Sequence, residues 1–335
     1  MFDFTVLLLP GAYASSVAVT LDMLTAAAAL APRLQVPVPR WRVLATGVTA
    51  GLGDSGGLVR LGGGMMLAAR PLPQRWRDDG AIWVVPGLGL ESASQARERL
   101  QQDDAQAAMR ALRTHARRGG TVAASCSAVF LLQAAGLLAQ RRVTTSWWLA
   151  ARLRELEPTC SVDADRMVCA DGPVITAGAA FAQTDLMLHL LRMRCGAPLA
   201  KAVSRVLLLD GRAAQAPFVV PELLADGDEL VARVIDRVTA ALPTPPAIGT
   251  LARELGMSER SLARRIRAKT GQSTLALVQS VRLNRARALL EGSRLSVEQV
   301  AEQIGYADAT ALWRLMRRVT GLTPRQLRAS APGKP

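Results

Sequence analysis

The chain has 335 residues, enough for two domains that each bury a core. Half of it is hydrophobic but only 4% is aromatic, so its cores must be built mostly from Ala, Leu and Val. Four cysteines with no CxxC spacing and no neighbouring histidine offer neither a zinc site nor a disulfide framework, and the formal charge of +14 sits largely in the last quarter of the chain, where 16 Lys+Arg face 6 Asp+Glu from Ile248 onward against 25 and 21 before it.

The apolar run over residues 4 to 9 ends at Pro10-Gly11 and predicts a central parallel strand; with Asp3 before it and no basic start, it does not read as a signal peptide. A helix follows from about Val17 to Leu30, and its Ala-rich stretch, broken by Asp22, is too short and too weakly apolar to cross a bilayer. Trp41 to Thr46 is a second strand, and Gly47 to Gly64 is a run of turns and short strands whose GxG lacks the strand-to-helix setting of a dinucleotide site. Ala81 to Val85 is a buried strand left by the loop Pro86-Gly87-Leu88-Gly89. Residues 94 to 118 read as one polar helix carrying His115 on a solvated face, and TVAAS, ending at Ser125, is a strand of small residues. Short apolar strands alternating with helices predict a doubly wound, mostly parallel α/β sheet of flavodoxin-like type.

At Ser125-Cys126-Ser127-Ala128 a strand ends, the chain turns sharply and a helix begins. A nucleophile elbow has this pattern: it presents a side chain above the sheet beside helix amides that would stabilise a thiolate or bind an anion. A catalytic cysteine also needs a base within reach. Of the two histidines, His115 is expected at the surface and His189, in LMLHLL, in the core. Loops leaving parallel strands converge on the ligand edge of such a sheet. The pocket candidates by position are therefore Tyr13, Gly87, Gly89, Cys126, Ser127 and Trp147, with Trp147-Trp148 equally readable as core. Cys160 and Cys169 flank an expected hairpin, SVDADRMV, and Asp171-Gly172 is a turn. A helix starts at Gly178-Ala179-Ala180 and runs to about Arg194, with Asp185 a cap or an internal partner. Gln215 to Asp228 is a connector, Glu229 to Leu242 a helix, and Pro243 to Pro246 a stiff spacer.

Residues 250 to 328 contain one pattern twice. LARELGMSERSLARRIRAKTGQS and VAEQIGYADATALWRLMRRVTGLT superpose at an offset of 50 over their second helices and 49 over their first, the extra residue lying in the turn. Ser296 with Gln299 forms a capping box, Gly305 ends that helix, and Ser258 and Asp308 cap the helices after each turn. Thr323-Pro324 marks a further helix start. A short helix, a tight turn and a basic second helix describe a helix-turn-helix, so this all-α region carries two. Its base-reading candidates are Glu259, Arg260, Arg264 and Arg265 in one recognition helix and Ala309, Thr310, Trp313 and Arg314 in the other, with Arg317 and Arg318 beside them. The 18 residues from Thr274 to Glu291 would form a connecting helix of about 27 Å.

This region resembles the DNA-binding domain of AraC/XylS-type regulators, through LA-x4-MSxRxLxRR, VRLNRARALLE and VAEQIGYxD-x5-R-x2-RR-x-TGLTPRQLR. Ile266, Leu312 and Met316 stand where that family has phenylalanine, apolar for apolar on a face expected to be buried. Residues 3 to 218 resemble the PfpI/ThiJ class of the class I glutamine-amidotransferase-like superfamily in its GlxA-like, AraC-fused version, through LLLPG, VVPGLG, GGTVAASCSAVFLLQAAGLLAQRRVTTSWW, DGPVITAGAAFAQTDLMLHL and DGRAAQAPF. Ser127 replaces a histidine of the hydrolytic relatives, Ser146 the histidine of TTHW, and Ala128 the motif glycine. These resemblances imply a sensing and oligomerisation domain over 1–218, a connector with a leading helix over 219–246 and a double helix-turn-helix over 247–330. They imply a cytoplasmic, homodimeric regulator of double-stranded DNA, an activator working with RNA polymerase under a small-molecule effector such as an amino acid or quaternary amine. No catalytic residue, metal or cofactor is expected, Cys126 being vestigial. The alternative is a cysteine-dependent hydrolase or amidase with a DNA-targeting tail.

Overall fold

A computed structural model describes the chain except residues 50–55, 74–79, 91–92, 213, 216–217, 226–227, 321–322 and 324–335, and gives the backbone alone at 93–94 and 318–320. It divides into two compact units, Met1–Ala213 and Ala214–Pro335. The first is built on a sheet of β1 (Phe4–Leu8), β2 (Trp41–Ala45), β3 (Gly57–Arg60), β4 (Met66–Pro71), β5 (Ile82–Val85), β6 (Val122–Ser125), β9 (Val168–Asp171) and β10 (Val174–Ala177). The strand order is β3-β4-β2-β1-β5-β6-β10-β9, parallel throughout except for the antiparallel edge pairs β3–β4 and β9–β10. Its central five, β2-β1-β5-β6-β10, have the flavodoxin-like order, which reverses between β1 and β5; ligands bind at such a reversal, beyond the carboxyl ends of the strands.

The continuous apolar sequence of β1 follows from burial on both faces. Phe4, Val6 and Leu8 face a core shared with α1 (Ala14–Leu30), α6 (Ala182–Cys195) and α7 (Ala197–Val206), while Leu7 and Leu9 face the core under α3 (Asp103–Arg117) and α4 (Val129–Ala134). The α1 segment is longer than the sequence predicts. It begins at Ala14 and continues as 3-10 turns to Leu34, a stretch long and apolar enough to cross a membrane by length and composition, with a mean hydropathy of 1.5. Here it covers the sheet: Met23, Leu24 and Ala27 are buried, and the Thr20 hydroxyl accepts a hydrogen bond from Gln183 of α6 at 2.8 Å.

Three expectations fail for identifiable reasons. The single helix over 94–118 is two, α2 (Ala93–Gln101) and α3, separated at Gln102. Asp103 and Asp104 start the second, where a helix favours negative charge, and Arg99 clamps Asp104 and the Pro10 carbonyl. His115 is not solvated but 3% exposed, its ring stacked on Trp83 with centroids 4.9 Å apart. It belongs to the buried stripe Ala105, Ala108, Met109, Leu112, His115, spaced at helical period against the sheet. The hairpin expected between Cys160 and Cys169 is absent. Instead β8 (Ser161–Val162) pairs parallel with β7 (Arg142–Val143), the Asp163 carboxylate turns the chain by accepting from the amides of Asp165 and Arg166, and β9 joins β10 across Asp171-Gly172.

The second unit is helical: α8 (Glu229–Ala240), α9 (Ile248–Glu254), α10 (Glu259–Thr270), α11 (Thr274–Gly292), α12 (Val297–Gln303) and α13 (Ala309–Thr320). Side-chain caps define its boundaries. Asp228, Ser258, Ser273 and Ser296 each accept from an amide three residues on, and Ser296 with Gln299 completes the expected capping box. Leu283, Ala286 and Leu290 of α11 pack with Val300, Ala301 and Ile304 of α12 and Leu312, Leu315 and Met316 of α13. Ile266, Leu312 and Met316 are all buried, so the aliphatic replacements serve the core. The helix start expected at Thr323-Pro324 lies outside the described residues.

Candidate cysteine pocket and nucleic-acid interface

The turn at Cys126 is an elbow in its backbone: φ is +54°, a left-handed value that L residues rarely adopt. Its neighbours hold it there. The Cys126 amide donates to the Gly178 carbonyl at 2.7 Å, its carbonyl accepts from the Thr145 hydroxyl at 2.8 Å, and Ser146 Oγ donates to Sγ at 3.0 Å. The Ser127 hydroxyl is committed to the Leu88 carbonyl. From the other side, the Tyr13 amide donates to the Gly87 carbonyl at 2.8 Å and the Gly89 amide to the Gly11 carbonyl at 2.9 Å. A Cβ on Gly87 would stand 3.0 Å from Cys126 Cβ and 3.5 Å from the Tyr13 ring, so glycine is what lets these loops close on one another. Trp147 follows Ser146, is 6% exposed and meets Trp148 edge-on at 5.0 Å.

The six pocket candidates therefore lie on loops gathered at one edge of the sheet, but the thiol is sealed. Cys126 has no exposed surface, and burial pushes its thiol up from the usual range against the smaller opposing effect of the Ser146 hydrogen bond. The thiolate that the sequence pattern allowed is not stabilised. Sequence reasoning also missed Gly178 and Arg212. The Arg212 guanidinium bonds the Asp185 carboxylate at 2.7 Å and the Phe181 carbonyl, bracing the turn that presents Gly178 to Cys126. The alternation of Asp185 and the DGR of residues 210–212 with apolar sequence was the available signal.

Burial raises Cys169 and Cys195 to about 11, and Cys126 shifts the same way. The fold favours the neutral thiols, so their contribution is complete below the unfolded-state value near 9 and is lost as pH rises through about 11. Urea midpoints measured at about pH 8 and about pH 10.5 should fall at the higher pH, and iodoacetamide should leave Cys126 unmodified in the folded chain at neutral pH.

In the second unit, α9 with α10 and α12 with α13 are the two expected helix-turn-helix pairs. Leu262 and Ile266 turn inward, leaving Glu259, Arg260, Arg264 and Arg265 exposed on one face of α10. On α13, Thr310, Trp313, Arg314 and Arg317 are exposed and Ala309 is half-buried; the side chain of Arg318 lies outside the described residues. Trp313 lies on the solvent side with the Arg317 guanidinium 5.0 Å above its ring, a flat cationic surface rather than a plug against α11. The connecting α11 spans 19 residues, about 28 Å at helical rise.

Residues 251–330 match the family model of a helix-turn-helix domain, and residues 81–193 match that of the DJ-1/PfpI family. The HTH-type transcriptional regulator GlxA of Rhizobium meliloti (strain 1021) is 28% identical over 83% of this chain and 83% of its own length. The chain is an AraC-type transcriptional regulator with a DJ-1/PfpI domain. The regulator is also 27% identical to the HTH-type transcriptional regulator CdhR of Pseudomonas aeruginosa, over 99% of this chain and 93% of that one. A third relative, the HTH-type transcriptional regulator GbdR of the same species, is 26% identical over 78% and 74%. In the regulator the two exposed basic helices thus lie within the residues that match the helix-turn-helix family, and the elbow lies within those that match the DJ-1/PfpI family.

Proposed function

We propose that the regulator places α10 and α13 in successive major grooves, with Glu259, Arg260, Arg264, Arg265, Ala309, Thr310, Trp313 and Arg314 reading bases and Arg317 and Arg318 holding phosphates. The observation that carries this reading is the pair of capped, buried-faced helices whose outward sides are arginine-rich. Grooves one turn apart are some 34 Å from centre to centre, and the length of α11 supports that span. The sheet domain binds a small metabolite, an amino acid or quaternary amine, on the loops of Tyr13, Gly87, Gly89, Cys126, Ser127 and Trp147. A buried Ser125 hydroxyl with no hydrogen-bond partner among the described residues supports a polar occupant there. Exposed Met193, Val206 and Leu208 around α6 and α7 support a homodimer formed through this domain. The regulator acts in the cytoplasm, as an activator that recruits RNA polymerase.

The positive φ of Cys126 favours a second reading, a cysteine hydrolase, but the sealed, neutral thiol with Ser146 as its hydrogen-bond partner supports a domain without catalysis. The experiment is a titration of the full chain with the promoter upstream of its own gene and with random DNA at one fixed salt concentration. Specific binding is expected to be at least roughly a thousandfold tighter, and Arg264→Ala and Arg314→Ala should each cost about 1–3 kcal/mol of discrimination. Cys126→Ser should leave DNA affinity unchanged. A specificity ratio near unity would sink the base-reading assignment, and amide or ester turnover that disappears in Cys126→Ser would sink the non-catalytic one.

A further inference from the structure

A cleft of about 310 Å³ lies on the outer face of the sheet domain, between α2, α3, α4 and α5 (Ala150–Leu156), away from the loops that surround Cys126. Met109 and Phe130, almost fully buried, form its floor, with Leu100 and Leu156 on its walls. Around this apolar surface stand Arg97, Arg110, Arg113 and Arg152, and no Asp or Glu lines the cleft among the described residues. Arg152 is neutralised by Glu155 at 2.7 Å. Arg113 donates to the carbonyls of Ala134 and Ala135, which fixes its position, and it forms no ion pair among the described residues. Arg97 and Arg110, both exposed, form no ion pair among the described residues.

Unpaired arginines scattered over a surface need no explanation, but here they surround a concave apolar floor. Like charges around one cavity repel, and that repulsion ends when an anion enters. The apolar floor excludes a nucleic-acid backbone as the best occupant, since phosphate binding leaves such a surface wet and unused. We infer that this cleft binds an organic carboxylate with an aryl or alkyl body. The body lies against Leu100 and Leu156, with Met109 and Phe130 closing the cleft beneath it, and the carboxylate takes charge-assisted hydrogen bonds from Arg97 and Arg110, with Arg113 adding field from its fixed place. Because Phe130, Gln133 and Ala134 belong to the helix that starts at the Cys126 elbow, an occupant here touches the element that shapes the other pocket, yet binding does not depend on what that pocket holds.

Calorimetric titration of the full-length chain with 4-phenylbutyrate and with its neutral counterpart 4-phenylbutanamide tests the assignment. The carboxylate should bind saturably at one molecule per chain and roughly tenfold or more tighter than the amide. The double substitution Arg97→Gln/Arg110→Gln, on exposed positions that leave the core untouched, should weaken 4-phenylbutyrate by roughly tenfold or more. Arg117→Gln, an exposed arginine of α3 outside the cleft, should leave it unchanged. No saturable binding of the carboxylate, equal binding of the amide, unchanged affinity in the double variant, or an equal loss in Arg117→Gln would each overturn the inference.

Discussion

Gly305→Ala should cost the DNA-binding unit about 2–5 kcal/mol, the sum of left-handed strain and overpacking against backbone. The residue closes α12 with φ +78°, and a Cβ there would lie 1.8 Å from the Pro243 carbonyl oxygen and 2.9 Å from its carbon. Neither atom is the end of a flexible side chain. The turn is also fixed from behind: Arg282 of α11 donates to the carbonyls of Ile304 and Gly305, and its guanidinium lies 3.7 Å from the centre of the Tyr306 ring. The first repeat supplies the control. Gly256 occupies the matching turn with φ +68°, but its added Cβ would meet nothing within 4 Å, so Gly256→Ala should cost only the strain, about 1–2 kcal/mol. Urea denaturation of both variants, followed by titration with operator-containing DNA, separates the contributions. Equal losses in the two would show that the spacer does not press on the second turn.

That contrast marks what the sequence carried and what it did not. Gly305 was legible as a helix terminator, because a C-terminal glycine after a capped amphipathic run has a local cause, and Gly256 stands in the matching turn of the repeat. That one of them is wedged against Pro243 is a tertiary fact, and the reading of Pro243 to Pro246 as a spacer gave no hint of it. The same division runs through the sheet domain. Strands buried on both faces announce themselves as apolar runs, so β1, β5 and β6 were readable, and so was the elbow, from its small residues between strand and helix. His115 was misplaced because a polar-looking helix was judged by its charged residues and not by the Ala105-Ala108-Met109-Leu112 stripe on which the histidine falls. The β9–β10 edge was misassigned because the Asp163 turn and the Asp171-Gly172 turn are both plausible hairpin centres, and only pairing with the neighbouring strand decides between them. At the site, residue identities suggested that the cysteine was disarmed. Its complete burial and the Ser146 hydrogen bond are properties of packing that no spacing encodes.

Removing the Arg212 guanidinium should destabilise the sheet domain by about 3–5 kcal/mol, the cost of leaving a buried carboxylate without its partner. The Asp185 side chain is only 5% exposed, inside a helix whose other buried residues include Leu186, Met187 and Leu190. Arg212 meets it with three bonds: its amide to Oδ1 at 2.7 Å, and Nε and a terminal nitrogen to Oδ2 at 3.1 and 2.7 Å. The backbone amide survives in Arg212→Met, but the charge compensation does not. Asp185→Asn removes the charge while keeping an oxygen acceptor, so the double variant Arg212→Met/Asp185→Asn should recover part of the loss, and the cycle isolates the pair. The consequence extends to the elbow. The same guanidinium holds the Phe181 carbonyl and the Thr184 hydroxyl, three to six residues beyond the Gly178 carbonyl that receives the Cys126 amide. In Arg212→Met the Cys126 thiol should therefore open to iodoacetamide under conditions where the parent chain protects it, and Asp185→Asn, which keeps the guanidinium on Phe181, should protect it better. If Arg212→Met unfolds at the parent's urea midpoint and keeps its thiol closed, the pair is a surface ornament and the elbow is held by β6 and β10 alone.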